Sequence, residues 1–127
     1  MKTKIFYLTL FSFALLALLY SFALVSGLFF YWRWFDIPMH FLGGFFAGGV
    51  SMWFFFKKLQ SRREMFLATL FGALIIGAAW EFFEYFTGLA FVTYGNYVFD
   101  TIKDFLMDGF GALAFYALAV TKREVGV

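Results

Sequence analysis

Residues 5–31 read IFYLTLFSFALLALLYSFALVSGLFFY, 27 consecutive positions without a charge and rich in Phe, Leu and Ala. As a helix rising ~1.5 Å per residue, this run would extend about 40 Å, more than the roughly 30 Å of bilayer hydrocarbon. It is too long for the apolar region of a signal peptide and has no clear small-residue cleavage site, so it reads as a first transmembrane helix or signal anchor. Three further apolar stretches follow, at about 37–56, 65–86 and 101–120, each near the roughly 20 residues that one crossing needs.

The rest of the composition agrees. A chain of 127 residues has room for one domain, and 64% hydrophobic with 27% aromatic content is more apolar surface than a soluble fold of that size could hide. The alternation of period two that a membrane barrel needs is missing. The expectation is therefore an all-α polytopic membrane protein, a four-transmembrane-helix bundle forming a single domain over 1–127, with the lipid bilayer as its first partner. A net charge of +2, with no basic patch among polar residues, gives no reason to expect a nucleic acid. The absence of cysteine excludes disulfides and thiolate metal sites.

Basic residues set the orientation, because Lys and Arg are retained in the cytoplasm. If four helices alternate, Lys2, Lys4, Lys57, Lys58, Arg62, Arg63, Lys122 and Arg123 share one side and only Arg33 and Lys103 fall on the other. That other side also carries Tyr31, Trp32, Trp34, Tyr85, Tyr94 and Tyr97, the aromatic belt of an interface. Both termini are expected in the cytoplasm and the protein in the inner, cytoplasmic membrane.

The same alternation brings six of the eight acidic residues to the outer end: Asp36, Glu81, Glu84, Asp100, Asp104 and Asp108, together with the single histidine, His40. Steps of three or four residues (36 and 40; 81 and 84; 100, 104 and 108) place each set along one face of its helix. Only residues 109–121 remain uncharged after Asp108, about 20 Å of helix, so Asp108 must sit below the headgroups, as must Asp104. An ionisable group at that depth costs on the order of 2.5 to 3.5 kcal/mol and normally faces a bundle interior with partners. Glycines 44, 48, 77 and 111, one turn deeper, allow the helices to approach closely beneath the acids, and the glycine-rich faces also suit a homo-oligomer.

Six carboxylates against Arg33 and Lys103 leave four uncompensated negative charges, a deficit to be met by protons or by a cation. Oxygen ligands suit a hard divalent ion, Mg, Mn or Ca, and His40 admits Zn. Asp36, His40, Glu81, Glu84, Asp100, Asp104 and Asp108 are the candidate ligands. Simpler roles compete for several of them. Asp36 and Asp100 are placed to cap the second and fourth helices. Asp104 could pair with Lys103 or Arg33, and His40 could be an interhelical hydrogen-bond donor. Glu81 and Glu84 end the third helix, where the dipole disfavours anions, so they need an outside partner. The first helix reads as packing or lipid-facing surface only.

The order Asp36-x-x-x-His40-Phe41, Glu81-x-x-Glu84 and Asp100-x-x-x-Asp104-x-x-x-Asp108-x-x-Gly111 resembles the VanZ-like and YjdF-like small bacterial membrane proteins, over the last three helices. The resemblance implies a helical membrane protein of the cell envelope; its VanZ branch is linked to glycopeptide resistance. Ile37 stands where Lys is usual there, Glu84 where Gln is common and Asp108 where Asn is common. These departures remove positive charge or add negative charge, which favours a bound cation.

The leading functional expectation is a metal-dependent hydrolase or transferase acting on a lipid-linked or envelope substrate. No Ser/His/Asp or Cys/His arrangement and no Gly-rich phosphate loop is available for other chemistry. A cation or proton binding or transport protein, and a non-catalytic envelope protein, are the alternatives.

Overall fold

The computed structural model describes residues 1–87 and 97–120, with all their side chains except those of Arg33 and Tyr97. The protein is all-helical, with no strand among the described residues. Four long helices, α1 (Lys2–Ser26), α3 (Asp36–Phe55), α4 (Arg62–Thr87) and α5 (Tyr97–Ala119), are joined by a short α2 (Leu28–Tyr31) and by single 3-10 turns at Arg33–Phe35 and Phe56–Lys58.

Helix ends differ from the apolar limits for identifiable reasons. The expected helix over 5–31 breaks at Gly27, which adopts φ 69° and donates its N–H to the Ala23 carbonyl, a left-handed stop that separates α1 from α2. α4 begins three residues ahead of its apolar run. There Ser61 accepts the Glu64 N–H at 3.1 Å, while the Glu64 carboxylate accepts the Gln60 N–H at 2.7 Å, a variant of the reciprocal capping box. α5 is already helical at Tyr97, four residues before its expected start.

α3 is the central helix and packs against α1, α4 and α5. Its closest neighbour is α5: a Cβ on Gly44 would overlap the Asp108 backbone, and one on Gly111 would overlap the backbone of Phe41 and Phe45. Only helices lacking side chains at those points can come so near. Ala47, Ala73 and Ala112 continue the contact where α3, α4 and α5 meet. At one end of the bundle, Ile5, Met52, Phe115 and Ala119 form a closed cluster with Met1, Leu59 and Met65 around it. This puts the start of α1 beside the α3–α4 turn and gathers Lys2, Lys4, Lys57, Lys58, Arg62 and Arg63 at one end. Lys122 and Arg123 lie outside the described residues.

Among the described residues, three helices are long and apolar enough to cross a membrane: α1, α3 with its 3-10 extension to Lys58, and α4. α5 matches them in length but carries Asp100, Lys103, Asp104 and Asp108. Large apolar side chains cover the outside of the bundle, among them Leu18, Val25, Phe54, Ile75 and Leu106, as a hydrocarbon solvent allows. At the end opposite the basic one, Tyr31, Trp32, Trp34 and Tyr85 are exposed, while Tyr94 and the Tyr97 side chain lie outside the described set.

Candidate functional site

α3 and α5 both begin at this aromatic end, and their first turns carry the acidic residues inward. Four-residue spacing stacks Asp36 over His40 on α3 and Asp104 over Asp108 on α5. The glycine seam below holds the two faces together, and His40 fills the space between them. Its Nε2 lies 3.5 Å from Asp36 Oδ1 and 3.3 Å from Asp104 Oδ2, and its Nδ1 lies 3.2 Å from Asp108 Oδ1. Asp104 is 2% exposed and Asp108 4%, both enclosed within the bundle.

Lys103 lies at the rim. Its Nζ is 2.9 Å from Asp100 Oδ1, 3.7 Å from Asp104 Oδ1 and 3.8 Å from Asp36 Oδ2. Only the first of these is hydrogen-bond distance. Asp104 Oδ1 and Glu81 Oε1 are therefore buried carboxyl oxygens with no donor among the described residues unless the two carboxyls share a proton. Glu81 reaches in from α4 toward Asp104. Each unpaired oxygen at such a depth carries a desolvation penalty of about 1 to 3 kcal/mol or more.

The candidate residues thus divide. Asp36, His40 and Asp104 offer one ligand atom each within 4.8 Å of one another. With metal–oxygen distances of roughly 2.3 to 2.6 Å, two ligands of one ion lie at most about 5 Å apart, so the spacing fits a single ion. Asp108 takes the far side of the His40 ring, and Glu81 adjoins Asp104. Asp100 is directed to Lys103. Glu84 accepts a 2.9 Å hydrogen bond from Trp80 Nε1 on its own helix and meets the others only across a cavity.

Two capping expectations are corrected. The residue before α3 is Phe35, no side chain caps the helix, and Asp36, already helical, turns its carboxylate to His40 instead. Asp100 lies in the first turn of α5, beyond any capping position, and binds Lys103. The pairing of Asp104 with Lys103 is present at 3.7 Å, whereas the Arg33 side chain lies outside the described residues.

α1 takes more part than its composition suggested. A cavity of about 400 Å³ lies between α1, α3 and α4; Tyr20, Leu16 and Phe13 line it from α1, and Asp36, His40, Glu84 and Asp108 line its polar end. The rings of Tyr20 and Trp80 meet edge to face at 5.9 Å across it. Trp80, four residues before Glu84, was readable as that residue's partner. Tyr20, in a uniformly apolar helix, offered no signal.

No curated protein and no solved structure matches this chain. The resemblance to VanZ-like and YjdF-like proteins rests on the motifs alone. A family described as "predicted membrane protein (DUF2238)" matches residues 2–124, and this chain belongs to that family.

Proposed function

We propose that this protein crosses the cytoplasmic membrane four times, with both termini in the cytoplasm, and holds one divalent cation near the outer face between Asp36, His40 and Asp104. The ion serves hydrolysis or group transfer on a lipid-linked or envelope substrate. α5 acts as the fourth span because its charges face α3 and its 23 residues extend about 35 Å at 1.5 Å each. The basic residues at the opposite end support the orientation.

The observation that carries the reading is the convergence of three ligand atoms within 4.8 Å, two of the residues buried, with no positive partner at hydrogen-bond distance from Asp104 Oδ1 among the described residues. His40 presents Nε2 to the ion while its Nδ1–H donates to Asp108, which fixes the ring's tautomer and direction, the usual service of a carboxylate behind a metal-binding histidine. Three protein ligands leave coordination positions open, as in catalytic rather than structural sites. When bound, the ion supplies Lewis acidity toward a polar substrate group. Glu84, across the cavity from His40, is placed to take or give a proton. Mg, Mn, Ca and Zn all suit the donor set.

Elemental analysis of detergent-purified protein tests this. About one divalent ion per chain is expected in the wild type, falling to background in Asp104→Asn. Equal ion content in the two would exclude the centre.

A second reading is favoured by one observation: His40 already touches three carboxylates and Lys103 stands beside them. In that case His40 in its charged form and Lys103, with protons kept on the remaining carboxyls, neutralise the cluster, which then locks α3 to α5 without an ion. Unfolding that is insensitive to chelator in the wild type would support the lock.

A further inference from the structure

α1 and α4 both lean on α3, yet among the described residues they meet only marginally, and the space between them is the cavity already described. Its polarity is graded. Asp36, His40 and Glu84 stand at the end near the aromatic belt, and one to two turns further in the walls are Phe13, Phe46 and Ala73. A volume of about 400 Å³ with a mostly apolar wall and a few convergent polar groups is the form of a ligand site. Water is a poor occupant of its deeper part, which offers too few polar partners. At roughly 30 Å³ for a water-sized group, the space takes on the order of a dozen methylenes, one chain rather than two.

Gly43 supplies an independent observation. Its neighbour Gly44 is held to glycine by the α5 backbone, but a Cβ on Gly43 would meet nothing within 4 Å. Packing between helices does not explain that glycine. It lines the cavity, and a bulky side chain there would occupy it.

We propose that this crevice binds a single hydrocarbon chain of a membrane amphiphile, entering from the bilayer between α1 and α4, with the amphiphile's polar group delivered to the Asp36–His40–Glu84 end. The inference rests on the membrane placement and the site proposed above and names the substrate class as a long-chain lipid; chain binding itself requires no ion. The source lies within the bilayer, because the helices that form the walls are those long and apolar enough to span it. The chain's depth accounts for the graded wall, and the missing side chain at Gly43 accounts for its width.

The test uses the full chain in nanodiscs with a zwitterionic phosphatidylcholine carrying a diazirine in one acyl chain, photolysed and mapped by mass spectrometry. Adducts are expected on Phe13, Leu16 and Ile76 facing the crevice. Labelling should fall about tenfold, equivalent to about 1.4 kcal/mol, in Gly43→Phe and in Ala17→Trp, which fill the crevice from opposite walls. Unchanged thermal transitions establish that both variants fold, and should one of them not fold, the other carries the comparison. Excess unlabelled phosphatidylcholine or undecaprenyl phosphate is then added, and displacement by either identifies the chain as acyl or isoprenoid. Ion content is read in parallel: Asp104→Asn should lose the ion and keep the label, so the centre and the chain site can fail separately. Adducts spread evenly around the bundle, or equal labelling of wild type and both filled variants, would overturn the proposal.

Discussion

The α3–α5 seam and the α1–α4 crevice flank the same central helix and are built in opposite ways. Along the seam, Gly44 and Gly111 bring backbones into contact and the buried groups are polar: His40, Asp104 and Asp108. Across the crevice, two spans of higher apolarity barely touch, apart from the Tyr20 and Trp80 rings. In lipid, apolar surface alone gives helices little reason to associate, so close backbone approach and interhelical polar contacts decide which pairs hold. The helix that carries Asp104 and Asp108 within its span is thus the one bound most closely, and the most apolar helix is free to stand off and leave a cavity.

The difference can be broken most severely at Gly111. Gly111→Leu drives a side chain into the backbone of Phe41 and Phe45, which cannot yield as a side-chain tip can. Overpacking of side chains costs about 1 to 3 kcal/mol, and a backbone clash exceeds that range, so no folded protein is expected by size-exclusion chromatography. Next comes His40→Ala. Removal of the group shared by Asp36, Asp104 and Asp108 leaves buried carboxylates facing one another, a loss of about 3 to 5 kcal/mol in reversible unfolding. A loss under 1 kcal/mol would mean that the cluster is hydrated and holds nothing together. The smallest effect is expected at Gly43→Ala, within about 0.5 kcal/mol of the wild type, because the methyl enters open space. Equal damage from Gly43→Ala and Gly44→Ala would erase the distinction between crevice and seam.

Much of the seam was legible in the chain because its signals are local. Four-residue steps put Asp36 with His40 and Asp104 with Asp108, and the glycines one turn deeper marked where helices could meet. Periodicity, however, gives a face and not the partner across the gap. Asp36 and Asp100 have the composition of caps, and the rotation of α3 and α5 about their axes sends both carboxylates elsewhere. The turn of Glu84 toward Trp80 depends on which rotamer the crevice permits. The left-handed stop at Gly27 lies in an apolar run that continues on both sides, so nothing in hydropathy marks it. The share of α1 in the cavity follows from its packing on α3 while standing off α4, and a uniformly apolar helix carries no mark of which face does so.

The proposed centre is tested most directly by the coordination sphere of Mn²⁺ added to the purified protein, read by electron spin echo envelope modulation. A nitrogen directly coupled to the bound ion is expected, and it should vanish in His40→Gln while persisting in Glu84→Gln. Mn²⁺ that binds without a coupled nitrogen, or with the same coupling in His40→Gln, would contradict an ion seated between Asp36, His40 and Asp104.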